Sequence, residues 1–309
     1  MKKNLLSLFF VFASFHLFAQ KDSVYLFCFF KGNGDGLHYA WSKDSYQWQA
    51  MFNDSVVLKP TVGNDRLFRD PCIIRGADGK FHMVWTVSWA DRGIGYASSS
   101  DLVNWSEQRF IPVMGGEDSA RNTWAPEITY DPQKREYMVY WASTIPGRFL
   151  QKDTSAEGQR YNHRMYYVTT KDFEKWSGPK LLYEPGYSVI DASIVHDGRQ
   201  WVMFLKNETR QPAEKNLRIA TAKNLTGPYS AAGLPITGNY WAEGPTAIQI
   251  DGQWVVYFDK YTEKKYGAVV SPDLVNWKDI SEKVSFPKGT RHGTVLKISA
   301  GEWHRMQGH

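Results

Sequence analysis

One short motif recurs five times along this chain and constrains its fold more than any other feature. A Ser/Thr-x-Asp turn, followed four residues after the aspartate by tryptophan, ends at Trp48, Trp105, Trp176 and Trp277. A degenerate copy, TAKNLTGPY, ends at Tyr229. The copies lie between about 50 and 70 residues apart, a spacing that is typical of repeat architectures such as propellers.

Two strand-like segments precede each turn. The first is rich in aromatic and β-branched residues, as in VYLFCFF, and the second alternates between apolar and polar residues, as in GIGYASS. Period-two alternation, with Gly, Asn, Asp and Pro between the segments, predicts β-strands. No long segment has the 3.6-residue period of a helix, so the sequence predicts an all-β fold.

Four of the five units also open with a short strand, beginning at Asp70, Ala125, Asp191 and Glu243. The first unit has none, and its missing strand stands at the far end of the chain as HGTVLKI, from His292. A last strand that completes the first sheet closes a propeller without a free edge. We therefore predict a five-bladed β-propeller of four strands per blade, with the first blade closed by the C-terminal strand, rather than a β-sandwich.

The start of the chain has the pattern of an export signal. Two lysines follow Met1, an apolar run comes next and Ala19 ends it, which predicts a signal peptide over residues 1–19 and one catalytic propeller domain over 20–309. The apolar run is too short to span a membrane. No cysteine follows it directly, as a lipoprotein would require. We expect a secreted or periplasmic protein without membrane insertion.

Cysteine and charge counts restrict the redox state and the partners. Cys28 and Cys72 are the two cysteines of the chain, and two buried free thiols are favoured over a disulfide between them.

A net charge of +5 is too mild for a nucleic-acid protein. The 13 Trp, 17 Tyr and 17 Phe offer flat faces that suit sugar stacking, although most must form the core. We expect a monomer.

The strand openings would bring acidic residues together. In a propeller the first residues of the inner strands meet at one mouth of the central channel, so aligning the openings places Asp70, Asp191 and Glu243 at equivalent positions, with Ala125 and His292. A single acid at a strand start can simply cap a turn. Three acids at one repeat position favour a functional site, where burial and like charge push pKa values apart.

With these motifs the chain resembles glycoside hydrolase family 43, the five-bladed propeller hydrolases of arabinofuranosides, xylosides and related sugars. The resemblance rests on RDPCII, TWAPEITYD, VIDASIVHDG and WAEGP, with the repeated SxDLxxW turns, and covers essentially the whole mature chain. It implies that Asp70 is the general base, Asp191 the residue that orients and tunes the acid, and Glu243 the general acid of an inverting hydrolysis. We expect the charge of Asp191 to raise the pKa of Glu243.

Several residues near the mouth are candidates for contacts with sugar. We assign Trp89, Trp124, Glu127, Trp241 and Arg291 to substrate binding. Packing between blades is the alternative for Trp124 and Trp241, and solvation for Arg291. The resembled family often has aspartate at the position of Glu127. Loops on a rigid scaffold commonly determine specificity, and those expected at the mouth are Lys31 to Gly36, Trp89 to Gly93, Thr144 to His163, Lys206 to Lys215 and Asp259 to Lys265.

His292 is a candidate metal ligand through the resemblance alone. Several members of that family place a histidine of the last inner strand at the channel centre, where it helps to hold a calcium or sodium ion. A neutral, hydrogen-bonded histidine is the alternative, since hard cations prefer oxygen ligands. We expect that no cofactor is required.

The sequence thus predicts an exported, inverting, exo-acting α-L-arabinofuranosidase whose partner is a plant-type oligo- or polysaccharide. Exo action is favoured because the long loop Thr144 to His163 can wall one side of the mouth. β-D-galactofuranosides and β-D-xylosides are alternative substrates. A non-catalytic glycan-binding propeller is the competing class, and the complete set of three carboxylates argues against it.

Overall fold

The protein is described by a computed structural model that covers residues 23–149 and 161–308. Strands dominate these residues and form five separate sheets around a channel, so the predicted five-bladed β-propeller is confirmed. The predicted signal peptide and residues 150–160 of the Thr144 to His163 loop lie outside the described residues.

The strands of each blade follow one another from the channel outward. Blade 1 contains β19 (Thr294–Ser299), β1 (Ser23–Phe29), β2 (His38–Ser42) and β3 (Gln49–Ala50). Blade 2 contains β4 (Arg69–Arg75), β5 (Phe81–Thr86), β6 (Ile94–Ser99) and β7 (Arg109–Ile111). Blade 3 contains β8 (Trp124–Asp131), β9 (Glu136–Ser143), β10 (Arg164–Thr170) and β11 (Lys180–Tyr183). Blade 4 contains β12 (Val189–His196), β13 (Trp201–Asn207) and β14 (Leu217–Ala222). Blade 5 contains β15 (Glu243–Ile250), β16 (Gln253–Lys260), β17 (Lys265–Ser271) and β18 (Lys278–Asp279).

The C-terminal strand closes the ring as the sequence predicts. β19 pairs antiparallel with β1, from Cys28 opposite Thr294 to Val24 opposite Ile298. The innermost strand of blade 1 therefore comes from the end of the chain, and its backbone groups are satisfied by the first strand.

Blade 4 departs from the expected four strands, because its outer segment forms no strand. Ser230 still donates its backbone N–H to the carbonyl of Thr221 at 2.8 Å, so the segment follows the sheet edge. Asn224 stands where the other copies have aspartate, and Pro228 has no N–H to donate to a ladder. The degenerate turn thus accounts for the missing strand.

The four intact turns share one hydrogen-bond pattern. In each, an aspartate Oδ1 accepts the backbone N–H groups two and three residues further on, at 2.7–2.9 Å. The residue after each aspartate has a left-handed backbone with φ between 58° and 68°. The aspartates are Asp44, Asp101, Asp172 and Asp273. These turns explain why the motif is the strongest signal in the sequence.

Aromatic residues fill the interfaces between blades, as the composition suggested. Phe27 of blade 1 packs edge-on against Tyr257 and Tyr266 of blade 5. Cys28 and Cys72 are both buried and unpaired, which confirms the expectation of free thiols.

A short helix follows the closing strand and covers the junction of blades 1 and 2. This helix, α1 (Ala300–Gln307), begins with a capping box between Ser299 and Glu302. Glu302 also forms an ion pair with Arg75 at the end of β4, and Trp303 packs on Trp41 with ring centroids 4.6 Å apart. No helix among the described residues is long and apolar enough to cross a membrane.

Ending the chain at two different points should separate ring closure from the contribution of α1. A chain that ends after Thr290 lacks β19 and should not fold solubly, because blade 1 loses its innermost strand. A chain that ends after Ser299 keeps β19 and should fold, with its free energy of unfolding lowered by about 3–5 kcal/mol through loss of the buried Trp303 and Met306. Circular dichroism and urea denaturation measure both. Equal loss of folding in the two chains would show that the helix, and not the strand, closes the ring.

Candidate active site

Every inner strand of blades 2 to 5 begins with a β-bulge. The pairing with the second strand shifts by one residue between Arg69 and Cys72, and at the corresponding places in the other three blades. The residue in the bulge has a left-handed backbone with φ between 49° and 60°. The bulge residues are Asp70, Ala125, Asp191 and Gly244.

This geometry corrects the predicted alignment of the three acids. Asp70 and Asp191 occupy equivalent bulge positions, but the bulge position of blade 5 is taken by Gly244. Glu243 stands one residue earlier, at the position of Arg69 in blade 2. The carboxylates therefore meet at one mouth without being equivalent by repeat symmetry.

A cavity of about 160 Å³ lies at this mouth of the channel. All three acids line it, together with Trp89, Trp124 and His292. Five further residues line it: Arg69 of the RDPCII motif, Thr86, and His163, Lys206 and Glu208 of the loops predicted at the mouth.

Asp70 is buried and held at both oxygens. Its Oδ2 accepts a hydrogen bond from Thr86 Oγ1 at 2.9 Å, and its Oδ1 lies 3.4 Å from His292 Nδ1. Burial alone would raise the pKa of Asp70, but the charge of Arg69 and the hydrogen bond and charge of His292 bring it to about 2. Asp70 is thus ionised at neutral pH.

Of the three predicted catalytic acids, Asp191 is the one whose pKa is raised. Its Oδ2 accepts the backbone N–H of Gly244 at 3.1 Å. Burial raises the pKa of Asp191, the neighbouring charge of Glu243 adds to the increase, and the charges of His292 and Lys206 oppose it.

Glu243 is held by two cations, contrary to the expectation that Asp191 raises its pKa. Its Oε2 lies 3.0 Å from Lys206 Nζ, and its Oε1 lies 3.2 Å from Arg291 Nη2. Burial alone would raise the pKa of Glu243, but the charge and hydrogen bond of Lys206 and the charge of Arg291 outweigh it and lower the pKa. In the protein without substrate Glu243 is therefore a carboxylate, and Asp191 has the higher pKa of the two acids.

The two cations are themselves anchored. Lys206 is buried, also binds Glu208 Oε2 at 2.8 Å, and lies over the ring of Tyr261 at 4.6 Å. Arg291 donates through Nε to Asp259 Oδ2 at 2.5 Å. Arg291 thus bridges Glu243 and Asp259, and its predicted contact with a sugar hydroxyl stays a prediction.

His292 fills the centre of the channel beneath the mouth. A Cβ at Gly244 would stand 2.4 Å from His292 Cγ, so only glycine fits there. Burial lowers the pKa of His292, but the hydrogen bond to Asp70 and the charges of Asp191, Asp70 and Glu127 raise it to about 9.

The structure leaves the metal assignment of His292 untested. Among residues 23–149 and 161–308, no group of three His, Cys, Asp or Glu side chains could hold a metal ion. The ring is placed against the Asp70 carboxylate, with Nδ1 3.4 Å from Oδ1. A role of His292 as a metal ligand therefore stays a prediction.

Glu127 lies deeper than the residues of the mouth. It lines a second cavity of about 300 Å³ further down the channel, with Cys72, Thr246 and Thr294. Burial and the charges of Asp191 and Asp70 raise the pKa of Glu127 to about 8, against the opposing charge of His292. The structure thus separates Glu127 from the mouth cavity, where it was expected to bind substrate.

Two pairs of aromatic rings stand at the mouth. Trp89, 41% exposed, meets Trp124 edge-on at 5.9 Å, and its carbonyl accepts the indole N–H of Trp124 at 3.1 Å. Trp241, 40% exposed, lies 5.9 Å from Tyr261. Trp89 and Trp241 therefore keep the exposed faces that sugar stacking requires.

Three polar residues at the ends of second strands follow a repeat signal of their own. Thr86, Lys206 and Asp259 each pair opposite the residue that precedes a bulge. Each ends a strongly apolar run, as in WVMFLKN. Lys206 and Asp259 open two of the loops predicted at the mouth, and an alignment of the second strands identifies Thr86 as well.

Comparison with known proteins relates the whole domain to sugar hydrolases. A family model described as "Probable glycosyl hydrolase domain", and related to glycoside hydrolase family 43, matches residues 21–304. An α-L-arabinofuranosidase of Bifidobacterium longum is 25% identical over 272 residues, which cover 74% of this chain. The chain spans about a quarter, 25%, of the length of that relative.

Solved structures share the fold at low identity. An α-L-arabinofuranosidase from Lactobacillus brevis superposes with a TM-score of 0.53 at 18% identity, covering 69% of this chain and 72% of the other. An exo-β-1,3-galactanase from Phanerochaete chrysosporium gives 0.52 at 15% identity, covering 69% and 49%.

Replacing His292 should change how stability depends on pH. Its pKa is raised from an ordinary 6.5 to about 9, so its contribution is fully present below pH 6.5 and is lost as the pH rises through 9. The wild type should exceed His292→Gln in free energy of unfolding, and the excess should shrink between pH 6 and pH 9.5 by on the order of 3 kcal/mol. Urea denaturation across this range measures it.

The matched control is His82→Gln. Burial lowers the pKa of His82, so its effect on stability should be constant above pH 6.5. An excess for His292 that stays constant to pH 9.5 would show that this histidine is neutral in the folded protein.

Proposed function

The chain belongs to the glycosyl hydrolase family whose model it matches over residues 21–304, a family related to glycoside hydrolase family 43, and on that premise we propose that it hydrolyses glycosidic bonds in the mouth cavity. The observation that carries the proposal is the meeting of one firmly ionised carboxylate, Asp70, with the interacting acids Asp191 and Glu243 in a single small cavity. Glycoside hydrolysis requires one carboxylate that activates water and one carboxyl that delivers a proton.

Asp70 activates the attacking water. Its pKa of about 2 keeps it ionised, and the contacts with Thr86 and His292 fix the orientation of its oxygens. Water that attacks the anomeric carbon on the face opposite the leaving group inverts the configuration in one step.

Glu243 protonates the leaving oxygen and shares its proton with Asp191. The charge of Glu243 raises the pKa of Asp191, so the two acids titrate as an interacting pair. In the free protein Lys206 and Arg291 lower the pKa of Glu243, whereas burial raises the pKa of Asp191. When hydroxyls of the sugar bind Lys206 and Arg291, Glu243 loses these partners, its pKa rises, and it takes up the proton that it then donates.

The proposed substrate is the non-reducing end of an arabinofuranosyl-bearing plant-type polysaccharide, cleaved outside the cell by a monomer. A mouth cavity of about 160 Å³ suits one terminal sugar, since larger ligands occupy about 300–1,000 Å³. The relative from Bifidobacterium longum supports α-L-arabinofuranoside as the sugar. The predicted signal peptide supports export.

Activity on a panel of aryl glycosides tests this function. We expect turnover of p-nitrophenyl α-L-arabinofuranoside above that of the β-D-galactofuranoside and the β-D-xyloside. Proton NMR of the earliest product should show the anomer opposite to that of the substrate. No hydrolysis of any panel member or of arabinan would favour the glycan-binding propeller, and a retained anomer would exclude Asp70 as a base.

The loss of activity should depend on the leaving group when the proposed acid is replaced, but not when the proposed base is replaced. Glu243→Ala should strongly reduce cleavage of arabino-oligosaccharides but spare dinitrophenyl arabinofuranoside, whose leaving group departs without a proton. Asp70→Ala should reduce both by on the order of a hundredfold or more, because water must be activated for every substrate. Steady-state kcat/KM on the two substrates measures the difference.

Glu127→Gln is the matched control, since it also removes a buried carboxyl but one below the mouth. It should affect both substrates equally and less than either variant above. Equal loss on both substrates in Glu243→Ala would exclude that residue as the acid.

A further inference from the structure

A second depression lies beside the mouth, on the other side of the loop that carries Trp89. Its volume is about 640 Å³, and Asn64, Ala90, Asp91, Arg92 and Phe110 are among its lining residues. None of these residues belongs to the catalytic cavity. The proposed mechanism leaves this depression unused.

One loop borders both depressions. Trp89 lines the mouth, and the next residue, Ala90, lines the second depression. Asp65 fixes this loop, because its Oδ2 accepts hydrogen bonds from Trp89 N at 2.9 Å and from Ser88 Oγ at 2.6 Å. A chain-like ligand that extends from the mouth across this loop can reach the second depression.

Phe110 provides a flat apolar platform there. It lies on β7, the outermost strand of blade 2, and is 40% exposed. A Cβ at Gly93 would stand 2.3 Å from Phe110 Cζ, so the ring packs on the backbone of Gly93. With one edge of the ring held by this contact, the exposed area is available to stack on the ring of a sugar.

The polar groups around Phe110 suit a neutral, hydroxyl-rich ligand. Asn64 binds both oxygens of Asp91 through its backbone and side-chain N–H groups, at 2.8 and 2.5 Å. Arg92 donates to Asp118 Oδ1 at 2.7 Å and to the carbonyl of Glu117 at 3.2 Å. These contacts hold a carboxylate and a guanidinium in place, and a sugar hydroxyl can donate to the first and accept from the second. Their opposite charges do not favour an ionic ligand.

We propose that this depression binds the part of the polysaccharide substrate that extends beyond the mouth cavity, with Phe110 as the stacking platform. The proposal rests on the proposed function, because it assigns the ligand as the remainder of the same substrate. It predicts that long substrates gain affinity from a surface that aryl glycosides do not reach.

Phe110→Ala tests the site through the length of the substrate. KM for arabinan should rise by about threefold to tenfold, the loss expected of one aromatic contact, while kcat/KM for p-nitrophenyl α-L-arabinofuranoside stays unchanged. The matched control is Leu181→Ala, which removes a 45% exposed apolar side chain from β11, the outermost strand of blade 3. An unchanged KM for arabinan, or an equal rise in Leu181→Ala, would overturn the proposal.

A binding measurement separates failure of this site from failure of the proposed function. In the Asp70→Ala protein, arabinohexaose and xylohexaose are added separately and the backbone amide signals of Ala90 and Gly115 are followed by NMR. At least one hexaose should shift these signals at concentrations where free arabinose does not. If neither hexaose shifts them, the depression is no saccharide site, whether or not the protein hydrolyses glycosides.

Discussion

The pairing of β19 with β1 is the interaction on which both the fold and the site depend. It joins the two ends of the described chain and leaves the channel enclosed by five inner strands. The two residues Arg291 and His292, which lie just before β19, contact Glu243 and Asp70. The closure that satisfies the backbone of blade 1 therefore also delivers two of the cations of the mouth. A propeller that failed to close would lose its charge balance together with its sheet edge.

That balance is demanding because several carboxyl groups are buried within one channel. Each would raise the pKa of the others if no cation stood between them. Arg69 and His292 compensate Asp70, and Lys206 and Arg291 compensate Glu243. Glu127 lies below them, where burial outweighs the opposing charge of His292 and raises its pKa to about 8. The channel thus contains both a carboxyl that is ionised at neutral pH and one that carries a proton there, and the difference reflects burial set against the nearby cations.

The sequence predicts the architecture well because the repeat motif has a local cause. The aspartate turns and the displaced strand identify five blades and their closure. Glu243 is displaced by one residue from its predicted position, since a bulge leaves no trace in period-two patterning and Gly244 reveals it only through its backbone φ of 60°. The pKa of Glu243 is lowered and not raised as predicted, because Lys206 belongs to a second strand whose sequence is otherwise typical of apolar core. Local motifs therefore predict the strands and turns, while contacts between blades determine the pKa values of the buried acids.

The one-residue offset explains why acids from repeated blades can take different roles. Bulge residues such as Asp70 and Asp191 meet groups near the channel axis, and Asp70 contacts His292 there. Glu243 precedes the bulge of its own strand and pairs opposite Asp259, so its carboxyl meets Arg291 and Lys206 at the ends of neighbouring strands. Perfect repeat symmetry would give each acid the same surroundings and the same pKa. A glycine in the bulge of blade 5 leaves room for His292 and shifts the carboxyl group by one position, which gives Asp70 and Glu243 separate electrostatic environments within one fold.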